Sequence, residues 1–166
     1  PMTVQGVEGV YFAVWAPNAM RVSVVGDFNH WDGRTCQMHC LDSGIFELFI
    51  PGLAEGTLYK YEIKAKGGLT YLKADPYANE AEVRPSTASV VADLTKYQWQ
   101  DQQWMEQRAK TQSYGAPMFV YEVHLGAWRK PEDGEREFYT YLVIAHLLAD
   151  FVKEMVYTHV ELMPIM

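Results

Sequence analysis

"RVSVVGDFNHWDGR", Arg21 to Arg34, is a short alternating run that breaks off into Gly26, Asn29, Asp32 and Gly33, with Trp31 set among these turn formers. Such a run, closed by turn chemistry, reads as a half-buried strand and the turn behind it. The rhythm repeats outward on both sides. "VYFAVWAP" stops at Pro17 and Asn18, "GIFELFIPG" at Pro51 and Gly52, "LYKYEIKAKGG" at Gly67 and Gly68, and "LTYLKADP" at Pro76, while "TASVVADL" supplies one more strand. Strands recurring about every ten residues from Val10 to Val91 predict a mainly β fold, an immunoglobulin-like antiparallel β-sandwich.

The composition suits a folded chain. Of 166 residues, 49% are hydrophobic and 14% aromatic, and only 21% are charged, which is ample core material and too little charge for wholesale disorder. The length allows one domain, or a small domain plus a piece of another. A net charge of -7 argues against a nucleic-acid partner, which needs a basic patch to displace counterions; a neutral polysaccharide has no such requirement. No apolar run reaches the roughly 18 residues of a membrane span, and no signal-peptide pattern opens the chain. A cytoplasmic protein is expected, with no membrane partner and no cofactor. Cys36, His39 and Cys40 in "CQMHC" look like half a metal clip, but zinc needs a second ligand pair, and none follows. The cysteines read as free thiols.

Beyond residue 95 the character changes. Residues 96–116 are rich in Gln and read as a connector, with a short helix over 100–109 and with Trp99 and Trp104 pinning it by packing. Residues 117–166 turn to a strand, helix, strand rhythm: "MFVYEVHLG", a helix over 137–155, and "THVELMPIM". This is one βαβ unit, the building block of parallel sheets and (β/α) barrels. One unit cannot close an eight-fold barrel, which takes about 250 residues, so the expectation is a truncated (β/α) barrel fragment. In the helix, Tyr141 to Ala145 is apolar around a full turn. Such a turn is either buried on all sides or sticky.

Two constellations carry candidate chemistry. The two-residue strand period puts Glu122 and His124 on one face, and His159 and Glu161 together on the next strand. Side by side they would make a metal or acid/base site, or a hydrogen-bonded polar layer inside a barrel wall; nothing else converges on them, which favours the layer. Trp31 is the second. Sugars present flat C–H faces that pack on aromatic rings, so an exposed indole with Asn29 and Lys60 nearby suits a glucan. The competing reading is that Trp31 packs against the sandwich or a neighbouring domain.

At "VWAPNA", "VSVVGDFNHWDG", "FELFIPG", "YKYEIKA" and "KADPYA" the sequence resembles the N-terminal carbohydrate-binding module of bacterial glycogen branching enzymes. "MFVYEVHLGAW" and "YTHVELMPI" resemble the first two barrel strands of their alpha-amylase-type catalytic domain. The resemblance covers nearly the whole chain. It implies a carbohydrate-binding module over 1–95, the connector over 96–116, and over 117–166 the first βαβ unit of an incomplete barrel. It also implies a parent activity: an α-1,4-glucan segment is held on an Asp nucleophile, with a Glu acid/base, and passed to a 6-hydroxyl. Those carboxylates sit on later barrel strands, so no residue here is expected to be catalytic, and the chain alone is expected to be inactive.

For binding, the resemblance carries over Trp31 and Lys60, with Asn29 beside them. A further aromatic platform, just ahead of "DP" in related modules, is Leu72 here, which implies weak binding of glycogen or another α-glucan. Family members also place a polar stretch where this chain has Leu142, Val143 and Ile144, and a Gly where it has Val156. Apolar barrel elements left without partners predict a homo-oligomer. A competing class is a non-enzymatic glucan-binding or regulatory module, against which the barrel-like strands speak; a small metal protein using the His/Glu face is a third.

Overall fold

The computed structural model describes residues 1–111, 115–132, 134 and 136–165. The chain divides into two compact units, Pro1–Gln98 and Trp99–Met166. In the first, strands β1 (Met2–Val4), β2 (Val7–Trp15), β4 (His39–Cys40) and β5 (Ile45–Pro51) form one sheet in the order β1-β2-β5-β4. Strands β3 (Ala19–Val25), β6 (Leu58–Ala65), β8 (Glu80–Ala81) and β9 (Ser89–Val90) form the other in the order β3-β6-β9-β8, with β7 (Thr70–Lys73) also on β6. Every pairing is antiparallel. The expected sandwich is present. "TASVVADL" contributes only Ser89 and Val90 to a strand, and the short β1 and β8 are additions that the alternation did not signal.

The two sheets share one core. On β2, Val10, Phe12 and Val14 are buried while Tyr11 and Trp15 face outward, the period of two that an amphipathic strand requires. They meet Val22 and Val24 of β3, Phe46 of β5, and Tyr59 and Tyr61 of β6. Phe12 and Tyr59 touch edge to face at 4.9 Å. Burying each such side chain contributes about 1.5–3 kcal/mol.

On β3 the alternation fails, because Val22, Ser23, Val24 and Val25 are all buried. The reason lies past the end of the strand. The chain loops out and returns along the β3 edge, where Val24 N–H donates to the Cys36 carbonyl and Met38 N–H to that of Val22, each at 2.9 Å. Ser23 and Gln37 form the bridge between these bonds. An otherwise open strand edge is thereby sealed, and the loop between is held at both ends.

The second unit holds α1 (Gln102–Thr111), β10 (Val120–Val123), α2 (Leu125–Trp128), α3 (Tyr141–Glu154) and β11 (His159–Leu162). Strands β10 and β11 run parallel, with Tyr121 opposite Val160 and Glu122 opposite Glu161, so the expected βαβ unit is formed. Among its described residues, Val123, Ile144 and Leu148 are the buried apolar ones. Beside them the rings of Tyr121 and Phe151 lie 5.1 Å apart, Tyr121 and Tyr157 4.9 Å, and Trp128 and Phe151 5.6 Å.

Several local expectations are corrected. The first strand stops at Val123 rather than running through Gly126, because the His124 carbonyl accepts from Ala127 and Trp128 N–H and opens a helical turn. Helix α3 starts at Tyr141, not 137, where Thr140 Oγ1 accepts from Val143 N–H as an N-cap. Helix α1 runs two residues later than expected, with the Asp101 carbonyl taking the Met105 N–H. Trp99 and Trp104 are 77% and 56% exposed rather than buried, with the Arg108 guanidinium 5.4 Å over the Trp104 ring. The apolar turn is not buried on all sides, since Ile144 is buried but Leu142 is 78% exposed.

The end of α3 carries a strained residue. Tyr157 N–H donates to the Val152 carbonyl at 2.9 Å and Val156 N–H to that of Lys153 at 3.2 Å, the paired bonds of a Schellman motif. Val156 occupies its left-handed position at φ 62°, where an L side chain costs about 1–2 kcal/mol. The side chain is largely exposed, so removing it uncovers little. Val156→Gly is expected to stabilise the chain by about 1 kcal/mol after allowing for the glycine's added freedom when unfolded. Chemical denaturation reads this as a higher midpoint; a lower one would contradict it.

Candidate functional site

The loop after β3 carries Trp31. A single 3-10 turn, Asp27–Asn29, follows Gly26, where a Cβ would lie 2.3 Å from the Leu58 carbonyl oxygen. His30 and Trp31 then take positive φ angles of 55° and 59°, two successive left-handed residues without a glycine. Trp31 N–H donates to the Gly26 carbonyl at 2.9 Å, and its indole Nε1–H to Asp27 Oδ1 at 2.7 Å. The ring stays half-buried, with its N–H occupied.

Asn29 organises this loop. Its Oδ1 accepts from Gly26 N–H at 3.0 Å, and its Nδ2 donates to the Val24 carbonyl at 3.0 Å and to Thr35 Oγ1 at 3.2 Å. Both ends of the carboxamide are therefore engaged inside the protein. Arg34 closes the loop on Asp32, with Nη2 2.6 Å from Oδ2 and the main-chain N–H 2.9 Å from Oδ1. These bonds, the guanidinium's first, hold the Asp32 carboxyl down to about 2, so it is ionised throughout the neutral range.

Lys60 lies on β6 opposite Val25, the last residue of β3, and donates from Nζ to Thr87 Oγ1 at 2.6 Å. Its strand neighbours Tyr59 and Tyr61 point into the core, so the two-residue period turns Lys60 and Glu62 outward. Leu72, in register opposite Glu62, shares that outer face and is 53% exposed. Trp31 and Asn29 thus come together in one loop, while Lys60 and Leu72 occupy the sheet face at which that loop begins.

Sequence reasoning did not single out Asp75 of "KADPYA", which anchors the segment after β7 to β6 and β9. Its Oδ2 accepts from Tyr59 OH at 2.7 Å and Tyr61 OH at 3.2 Å, and its Oδ1 from Tyr77 N–H at 2.8 Å. Burial, and then the carboxylate beside them, push both phenols well above their ordinary range, so each remains a donor. Asp75 and the two tyrosines also line a cleft of about 290 Å³ with Tyr11, Tyr77 and Asn79. Trp31, Asn29 and Lys60 are not part of it. Only the pairing of an Asp with two core tyrosines could have flagged Asp75, and those residues are 14 and 16 positions away in sequence.

The His/Glu face is only partly assembled. Glu122 and Glu161 are directly opposite, but His159 lies opposite Val120, and His124 has left the strand to start α2. Among the described residues, no group of three or more His, Cys, Asp or Glu could hold a metal ion. Cys36 and Cys40 are free thiols.

Comparison with known proteins places this geometry. The sequence model of carbohydrate-binding module 48 (isoamylase N-terminal domain) matches residues 2–78. Curated 1,4-alpha-glucan branching enzymes match the chain from end to end: that of Gloeobacter violaceus is 53% identical over 100% of this chain, and that of Nitrosomonas eutropha 54% over 97%. Along its whole length the chain is thus similar to 1,4-alpha-glucan branching enzymes. It covers 23% and 22% of those two relatives, and so spans about a quarter of the length of the branching enzymes it matches. Among solved structures, the pullulanase of Klebsiella pneumoniae complexed with maltotriose superposes with TM-score 0.64 at 24% identity over 94% of this chain and 16% of its own. The apo pullulanase of Paenibacillus barengoltzii gives 0.66 at 21% identity over 98% of this chain and 27% of its own. At such identities the likeness concerns the fold alone. No helix among the described residues is long and apolar enough to cross a membrane.

Proposed function

We propose that this chain is the glucan-contacting N-terminal part of a branching enzyme, gripping an α-glucan on the outer face of its sandwich through Trp31 and Lys60. Asn29 takes part by shaping the loop. The observation that carries the reading is Trp31 itself: an indole held by its main-chain N–H and its ring N–H on a loop anchored at both ends. A platform fixed in advance loses little freedom on binding. Leu72, with no ring to offer at the third position, makes the grip weak. In this reading residues 1–95 are the binding module, 96–116 the connector, and 117–166 the first βαβ unit of the barrel.

The whole enzyme would move α-1,4-glucan segments onto 6-hydroxyls by the two-carboxylate retaining route. Its nucleophile and acid/base lie on barrel strands outside these residues. Cytosolic residence belongs to the same reading and is supported by the two free thiols. The exposed apolar residues of the second unit, Leu142, Val143, Val160 and Leu162 among them, form the kind of patch through which two copies would associate. A purely regulatory glucan-binding module is disfavoured by β10 and β11, which such a module has no use for.

Titration of maltoheptaose into the full chain, followed calorimetrically, tests the reading. Weak but saturable binding is expected, and Trp31→Ala should lower the affinity about fivefold, the worth of one aromatic platform. Equal affinity in both proteins would overturn the site. The same preparations should leave amylose unbranched.

A further inference from the structure

We propose that Glu62 is a positioning residue for the Trp31 indole, acting through Gly33; the inference rests on the reading of Trp31 as a sugar platform. Two successive left-handed residues, His30 and Trp31, persist only where the surroundings over-determine them. On the near side Asn29 and Asp27 do this. On the far side the loop leans on β6. A Cβ on Gly33 would lie 2.1 Å from Glu62 Oε1 and 2.4 Å from its Cδ, so the loop backbone rests directly on the carboxylate. The backbone angles of Gly33 do not call for glycine, since its φ lies outside the left-handed region. Its requirement is space, and Glu62 occupies that space.

Glu62 is in turn immobilised. The Arg21 guanidinium pairs with it, and it stands in register opposite Ser23. This polar layer is a poor choice for stability alone. Arg21 Nε and Ser23 Oγ are buried there without a hydrogen-bond partner, a desolvation cost that an apolar layer of the same shape would avoid. What the layer supplies is a rigid surface two residues from the indole.

The test is a double-mutant cycle on the full chain, with maltoheptaose affinity and denaturation midpoint both measured. Gly33→Ala and Glu62→Ala should each weaken binding about tenfold through lost preorganisation, and each should also lower the midpoint, the first by overpacking against Glu62 and the second by leaving the Arg21 guanidinium unpaired. The double variant should be no weaker than either single one, because the added methyl no longer meets a carboxylate. Glu62→Gln, which keeps the shape and the bond to Arg21, should restore wild-type affinity to within about threefold. If Gly33→Ala fails to fold, the contrast between Glu62→Ala and Glu62→Gln decides alone. Wild-type affinity in Glu62→Ala beside a weakened Trp31→Ala would overturn the role of Glu62 and leave the platform standing, as would additive losses in the double variant. Wild-type affinity in Trp31→Ala would instead remove the platform itself.

Discussion

Asp75→Ala is expected to lower the unfolding free energy of the chain by about 3–4 kcal/mol, the largest single loss outside the apolar core. The carboxylate takes three hydrogen bonds: two from the phenols of Tyr59 and Tyr61, and one from Tyr77 N–H. Hydrogen bonds to a charged group are worth about 1.5–3 kcal/mol each, and they do not add in full when they share an acceptor. The greater part of the loss comes from what is left behind. Tyr59 and Tyr61 are 6% and 1% exposed, and without Asp75 their hydroxyls stay buried with the partner gone. Asp75→Asn, which keeps an acceptor in place, should cost about half as much. Urea unfolding of the full chain followed by far-ultraviolet circular dichroism reads both, and a loss below about 1 kcal/mol in Asp75→Ala would contradict the account.

Replacing both Leu142 and Val143 by glutamate is expected to abolish self-association. The wild-type chain should run as a dimer in light scattering at high concentration and the variant as a monomer. Burying these two side chains against a second copy contributes about 3–5 kcal/mol, which is a hundredfold or more in the dissociation constant. The variant should not unfold. Both positions lie in the first turn of α3, where acidic groups complement the helix dipole, and Glu at position 143 would complete a capping box with Thr140, the N-cap. A monomeric wild type, or a variant that remains dimeric, would contradict the proposed association.

The strands of the sandwich were legible because β2, β5 and β6 bury one face each and end in glycine or proline turns. The parallel pair was legible from two apolar runs flanking a helix-length segment. The strain at Val156 was legible only through the resemblance, which places a glycine there, and its φ is indeed positive. What stayed hidden were contacts between residues distant in sequence. Gly33 reads locally as a turn former, yet its reason to be glycine is a carboxylate on a strand 29 positions later. Ser23 and Val25 read as the outer face of β3 until the return of Cys36 to Met38 along the edge buries them. Asn29 reads as a possible sugar contact by residue type, and only the geometry of its carboxamide reveals an internal role. His124 reads as part of the strand, and misleads, because a strand period says nothing about where the strand stops.

The register of β10 against β11 sets Glu122 and Glu161 at the same level of a parallel ladder. Like charges directly across a ladder repel, and the repulsion grows as water is excluded and the local dielectric falls. Whatever comes to enclose this face must therefore bring compensating positive charge or a set of proton donors to that level. An oily lid would leave two anions facing each other in the dry.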